Sequence, residues 1–258
     1  MPTPPRFNVL GVRVHATHLQ QACEHIVAAT RKPVPAPAYV CFCDVNSVSC
    51  ARRDPNHLAI LNRSLLTTPD GMPLVWLGRH AGHRDISRVY GPDLLLEICR
   101  ATAGTELTHY FYGGGPGTAE ALAASLQTRF PGLRVSGTET PPYRPLTTDE
   151  AAALEKRIHA TRPHFFWVGL STPKQEAFMA EYSPRLGAPV MLGVGAAFDF
   201  LSGRVRQAPR WVQQSGFEWL WRLCAEPHRL APRYFKNNPL FVLRVLAQLT
   251  GLKNYAGD

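Results

Sequence analysis

HYFYGGG (109–115) opens the stretch that decides the fold, and LRVSGTE (133–139), HFFWVGL (164–170) and PVMLGVG (189–195) follow it. Each is a short apolar run, rich in aromatic or β-branched residues, that contains or closes on glycine, the pattern of a strand within a sheet covered on both faces. Between them lie segments of helical character at 118–130, 148–160 and 174–182. Strand and helix in alternation predict a parallel sheet. The loops GGGPG (113–117), GTETPPY (137–143), GLSTPKQE (169–176) and GVGAAFDF (193–200) then share the carboxyl edge, where open α/β sheets bind ligands.

Working toward the N-terminus, GPDLLLEICRATA (91–103) reads as a helix with Pro92 in its first turn, where the missing N–H costs nothing. TTPDGMP (67–73) reads as turn, which places Asp70 in a loop. A helix is expected over about 54–66. The apolar run AYVCFCD (38–44) reads as a central strand ending at Asp44, with Asn46 in the loop beyond. The chain starts as a hairpin, 7–10 and 12–15 around Gly11, followed by a helix over 18–31. MPTPPRFNVLG at the start has no long apolar core of a signal peptide, so the six cysteines are expected to be reduced thiols, with Cys41 and Cys43 on one face of a strand in the core.

After Gly203 the composition changes. RVRQAPRWVQQSGFEWLWRLCAEPHRLAPRYFKNNPLFVLRVLAQLTG is rich in Arg, Trp and Pro, and predicts a separate helical appendage over 204–258 on a domain of 1–203. The chain carries a formal charge of +9, and residues 204–258 hold nine basic and three acidic residues, so the basic surface is largely a C-terminal feature. Trp211, Trp219, Trp221 and Tyr234 are interleaved with Arg222, Arg229 and Arg233, the combination favoured at a membrane–water interface. NPLFVLRVLAQLTG (238–251) is too short to span a bilayer; it reads as a helix lying in the membrane surface or packed on the body.

With 45 % hydrophobic and 18 % charged residues the chain is an ordinary globular protein, not a disordered or collagen-like one. The strand–helix alternation and the basic C-terminus each suggest a function class. A nicotinamide-dependent oxidoreductase would need G-x-G-x-x-G spacing, which GGGPG lacks, although Glu139 lies about where a ribose ligand would stand. A nucleic-acid module would use the basic C-terminus as a stacking platform, but no familiar recognition motif accompanies it, so no nucleic acid is expected as partner.

NSVSCARRD (46–54), TTPDGMPLVWLGR (67–79), SRVYGPDLL (87–95), YGGGPGTAE (112–120), GLSTPKQE (169–176), GVGAAFDFLSG (193–203) and FEWLWRLCAEPHRLAPRY (217–234) together resemble, in order, the WecG/TagA/CpsF family, glycosyltransferase family 26. The resemblance implies an inverting, metal-independent transferase that takes a sugar from a UDP-sugar donor to a polyprenyl-diphosphate-linked sugar acceptor. It would work at the cytoplasmic face of the bacterial inner membrane, as a peripheral protein, and a homo-oligomer that opens to place the appendage over the site would fit it. No cofactor or metal is expected, and Asp-x-Asp, the common carboxylate handle for a nucleotide-bound cation, is absent from the sequence.

Carried onto this chain, the family's base falls on Asp70 and its sugar contacts on Asn46 and Gln175. Its phosphate arginines fall on Arg222 and Arg229, with Arg233 and Arg206 standing near places where the family pattern differs. Arg88 lies in a family block and could clamp a diphosphate, though a surface ion pair is the common fate of a loop arginine. Gly114 and Gly115 can bring bare backbone N–H groups to a phosphate, or form only a tight turn. Asn46 could equally serve as a helix cap, Lys174 and Glu176 as a solvated pair, and Asp199 as a loop brace.

Overall fold

The computed structural model describes residues 3–31, 38–188 and 190–255, apart from the side chain of Arg229. Met1, Pro2 and Pro189, which belong to the expected N-terminus and last strand, lie outside the described residues.

Six parallel strands form the sheet: β3 (Tyr39–Cys43), β4 (Leu66–Pro69), β5 (Thr108–Gly113), β6 (Arg134–Glu139), β7 (Phe165–Gly169) and β8 (Val190–Gly193), in the order β4-β3-β8-β7-β5-β6. A separate antiparallel hairpin pairs β1 (Arg6–Val9) with β2 (Val12–His15). On one face pack α2 (Val45–Ala51), α3 (Pro55–Arg63), α4 (Met72–His80), α7 (Thr148–Thr161) and α8 (Lys174–Leu186). On the other pack α1 (Leu19–Ala29), α5 (Gly91–Thr102), α6 (Thr118–Arg129) and α9 (Ala197–Leu201). Period-2 alternation divides the strands between the layers: Tyr110, Tyr112, Phe166 and Val168 face the first, Phe111, Phe165 and Trp167 the second. The expectation of an open α/β fold on a parallel sheet is therefore correct, the arrangement is Rossmann-like, and Cys41 and Cys43 are buried in the first layer.

One polar group inside the second layer is fully satisfied. His109 on β5 accepts from Trp167 Nε1 at 3.0 Å through Nδ1 and meets Thr102 Oγ1 at 2.9 Å through Nε2, while Thr102 donates to the Ile98 carbonyl. The Nε2 atom must carry the hydrogen in this chain. Burial holds the imidazole down at about 3, so it stays neutral.

Two expected elements differ. TTPDGMP is not all turn: Leu66, Thr67, Thr68 and Pro69 form β4, paired in parallel with β3. Pro69 is tolerated because β4 is the edge strand and the proline stands at its end. The Thr67 amide, on the side without a strand partner, donates to His15 Nδ1 at 2.9 Å, so the hairpin covers the sheet edge. The helix expected over 54–66 accordingly stops at Arg63.

The second difference is C-terminal. After α10 (Arg210–Ser215) and α11 (Glu218–Ala225), a single helix α12 (Pro227–Leu249) replaces the short one expected over 238–251. Pro232 and Pro239 lie inside it. Both are exposed, as are His228 and Phe235 four residues earlier, so the carbonyls deprived of an amide partner are on the solvent side. Helix α12 packs along α2 and buries Phe241. No helix among the described residues is long and apolar enough to cross a membrane.

Gly113 sets the exit of β5. Its φ of +141° is open to glycine alone, and a Cβ there would stand 2.6 Å from the Gly169 backbone on β7. Gly113→Ala is expected to lower stability by about 2–3 kcal/mol, read as a fall in the urea midpoint at unchanged m-value.

Candidate functional site

Strand β3 leads into α2 on one face of the sheet and its neighbour β8 leads into α9 on the other. Loops that part to opposite faces leave a crevice at the carboxyl edge, the switch point of an open α/β sheet. Asp44 closes β3 and caps α2, accepting from the Ser47 amide at 2.7 Å and its hydroxyl at 2.9 Å. Asn46 is therefore not in a loop: it lies in the first turn of α2, where the cap fixes its backbone. Its Oδ1 accepts from Asn237 of α12 at 3.2 Å.

Asp70 follows β4, and the Asp70 amide donates to the Cys43 carbonyl at 2.9 Å, tying the loop to the end of β3. Asn46, Asp70, Arg88, Tyr90, Glu218 and Arg222 all line one cavity of about 630 Å³, walled further by α4 and α12. Four of the residues expected from sequence thus come together, from segments up to 176 positions apart.

Arg88 organises the floor. Its Nη2 meets Asp70 Oδ1 at 3.2 Å, its Nη1 meets Glu218 Oε2 at 2.6 Å, and its Nε donates to the Asp70 carbonyl. The guanidinium carbon lies 4.1 Å from the centre of the Tyr90 ring, whose hydroxyl donates to Glu218 Oε1 at 3.1 Å. Arg88 is thus no surface arginine, but a buried cation between two carboxylates. Asp70 keeps 21 % of its side chain exposed. Burial nevertheless pushes its carboxyl up to about 7; Glu218 and Asp44 push the same way against the opposing pull of Arg88. A carboxyl that titrates near neutrality can accept a proton.

The other expected residues stand apart from this cavity. Gln175 is buried at the start of α8, its amide donating to the Gly193 carbonyl at 2.7 Å and to Glu176 Oε1 at 3.0 Å. Glu176 is fully buried, not a solvated partner of Lys174; it also accepts from Thr172 at 2.9 Å, and burial raises its carboxyl to about 7. Lys174 instead sits 4.1 Å from the centre of the Tyr143 ring. Gly114 and Gly115 are three strands from β3, about 14 Å along the rim. Arg204 Nη2 donates to the Pro116 carbonyl there at 2.6 Å. Arg233 leans on Tyr234, 5.1 Å from its ring centre, and does not line the cavity. Arg229 lies in α12, and its side chain is outside the described residues.

Sequence reasoning missed Glu218 and Tyr90. Both were visible in principle: Glu218 is an acid set inside the aromatic string FEWLW (217–221), and Tyr90 is two residues from Arg88, hence on the same side of an extended segment. Glu139, the acid weighed for a dinucleotide ribose, is already held by Arg157 at 2.7 and 3.1 Å and by the Tyr110 hydroxyl at 3.0 Å, which removes the support for that reading.

The sequence profile of the glycosyl transferase WecG/TagA/CpsF family matches residues 7–255. The chain belongs to this family. Among its relatives, an N-acetylglucosaminyldiphosphoundecaprenol N-acetyl-beta-D-mannosaminyltransferase of Bacillus subtilis is 25 % identical over 205 residues, 80 % of this chain and 77 % of the relative. The protein of the same name from Bacillus spizizenii is 27 % identical over 196 residues, 76 % of this chain and 74 % of the relative. A WecG/TagA/CpsF member is a glycosyltransferase.

Because Glu218 raises the Asp70 carboxyl, Glu218→Gln should lower its titration midpoint from about 7. The check is carbon-13 NMR of the Asp70 carboxyl in the full chain with Asp70→Asn as assignment control. An unmoved midpoint would show that the two acids are not coupled.

Proposed function

We propose that this WecG/TagA/CpsF protein transfers a hexose or N-acetylhexosamine-type sugar from a UDP-sugar to an undecaprenyl-diphosphate-linked saccharide in surface or exopolysaccharide synthesis. The observation that carries the reading is Asp70: a carboxyl raised to about 7, held by Arg88 at the floor of a cavity that opens beside Asn46. The names of the two Bacillus relatives support the acceptor class.

In this reaction Asp70 takes the proton from the acceptor hydroxyl as that oxygen attacks the anomeric carbon. The new C–O bond forms on the face opposite the nucleotide, the bond to the diphosphate oxygen breaks, and UDP leaves with the electron pair. One displacement inverts the anomeric configuration. Arg88 fixes the carboxylate through its hydrogen bonds, and Asn46 offers an amide to the sugar. The charge growing on the leaving diphosphate calls for donors rather than a general acid. Arg222 lines the cavity and supplies a cation; Arg229 and Arg233 follow on α12, and the glycine loop at Gly114 and Gly115 offers N–H groups farther along the rim. Gln175 acts from beneath, bracing the β8 exit at Gly193.

We further read α10–α12 as the part of the protein that meets the cytoplasmic face of the membrane. Trp211 and Phe235 are 72 % and 74 % exposed, and the nearby basic residues suit anionic headgroups. Homo-oligomerisation stays within the proposal as a means of covering these side chains away from lipid.

Asp70→Asn should fold and bind donor as the unaltered protein does, yet lose kcat by on the order of 10²–10⁴. The assay is UDP release without added metal, crossing several UDP-sugars with a short-chain lipid-diphosphate sugar; unaltered turnover would remove Asp70 as base. For the membrane, the double change Trp211→Ser with Phe235→Ser should reduce co-sedimentation with anionic vesicles several-fold. Equal sedimentation would place the contact elsewhere.

A further inference from the structure

Beyond the polar floor, the cavity continues as an apolar groove between α4 and α12 that the transfer chemistry does not use. Helix α4 starts beside Asp70 and leads away from it, presenting Met72, Trp76 and Leu77 to the groove. Helix α12 shows a polarity gradient along one stripe. Tyr234, Asn237 and Asn238 come first, and Asn237 touches Asn46 at the floor. Phe241, Val242, Val245, Leu246 and Leu249 follow at helical spacing, all lining the same cavity. From Phe241 to Leu249 the apolar part runs about 12 Å.

This wall is open. Trp76 is 51 % exposed, Val242 54 %, Leu246 52 % and Leu249 49 %, an apolar surface that one groove concentrates and that is left uncovered among the described residues. An occupant must be linear and apolar, and continuous with a polar head that lies among Asp70, Asn46 and Arg222. A flat bilayer surface does not match a concave groove that begins at a catalytic carboxylate. A single hydrocarbon tail attached to a sugar diphosphate does.

We propose that the α4–α12 groove is a subsite for the first isoprene units of the acceptor's polyprenyl tail, so that the enzyme lifts the head of the lipid out of the membrane and holds it by its tail while the sugar reaches Asp70. The inference rests on the transferase reading above and adds to it a tail-reading site. It assigns Trp76 and Leu246 to lipid binding, whereas the outward Leu243 on the same helix, 63 % exposed and outside the groove, is not part of it.

The experiment is calorimetric binding of isopentenyl, geranyl and farnesyl diphosphates to the full chain in the absence of vesicles and detergent. Farnesyl diphosphate should bind at least about tenfold more tightly than isopentenyl diphosphate, because each added isoprene buries further apolar area. Leu246→Asp should remove most of that gain, while Leu243→Asp, the same charge on the same helix, leaves it intact; matching melting temperatures would establish that both variants fold. Affinity indifferent to tail length, or equal losses in the two variants, would overturn the subsite. If farnesyl diphosphate binds as expected and Leu246→Asp weakens it, yet no UDP-sugar and lipid acceptor react, the groove stands and the transferase reading falls.

Discussion

A single guanidinium between two carboxylates sets the shape of the site. Arg88 joins Asp70, which follows the edge strand, to Glu218, which opens α11. Three charges removed from water tolerate the loss only when each is paired and hydrogen-bonded, so placing Arg88 on the floor obliges Glu218 to come down onto it. The C-terminal helices thereby become part of the cavity. Tyr90 completes the arrangement, its ring under the guanidinium and its hydroxyl on Glu218. Burial, with Glu218 and Asp44 adding to it against the pull of Arg88, leaves Asp70 basic enough to accept a proton near neutral pH.

How far the sequence disclosed this depended on how each residue earns its place. Strands β3, β5, β7 and β8 were legible because sheets covered on both faces demand continuous apolar runs. Strand β4 was hidden because its residues, Thr-Thr-Pro before Asp-Gly, satisfy the requirements of a turn equally well; only its position at the sheet edge makes proline acceptable. Asn46 was found as a residue but misplaced, since Asp44, not Asn46, turned out to cap the helix.

Charged residues were the least legible. Arg88 had a surface ion pair as its common alternative, Glu176 read as a solvated partner of Lys174, and Glu218 drew no reading, because burial of a charge is decided by partners brought from far along the chain. Asn46 of α2 and Asn237 of α12 meet across 191 positions. The resemblance to WecG/TagA/CpsF proteins compensated in part: it marked the blocks that hold Asp70, Arg88 and Glu218, but within FEWLWR the arginine drew attention and the acid did not.

The far end of α12 is fastened as well as its middle. Gln248 accepts from the Leu10 amide at 2.8 Å and donates to the Asn8 carbonyl at 3.0 Å, and Asn8 donates to the Tyr255 carbonyl at 2.6 Å. The last helix is thus bolted to the first hairpin at one end and to α2 near its middle, like a strut fixed to the chassis. A helix fixed at these points holds its apolar stripe at a set distance from α4, so the width of the groove is governed by contacts with a hairpin from the opposite end of the sequence.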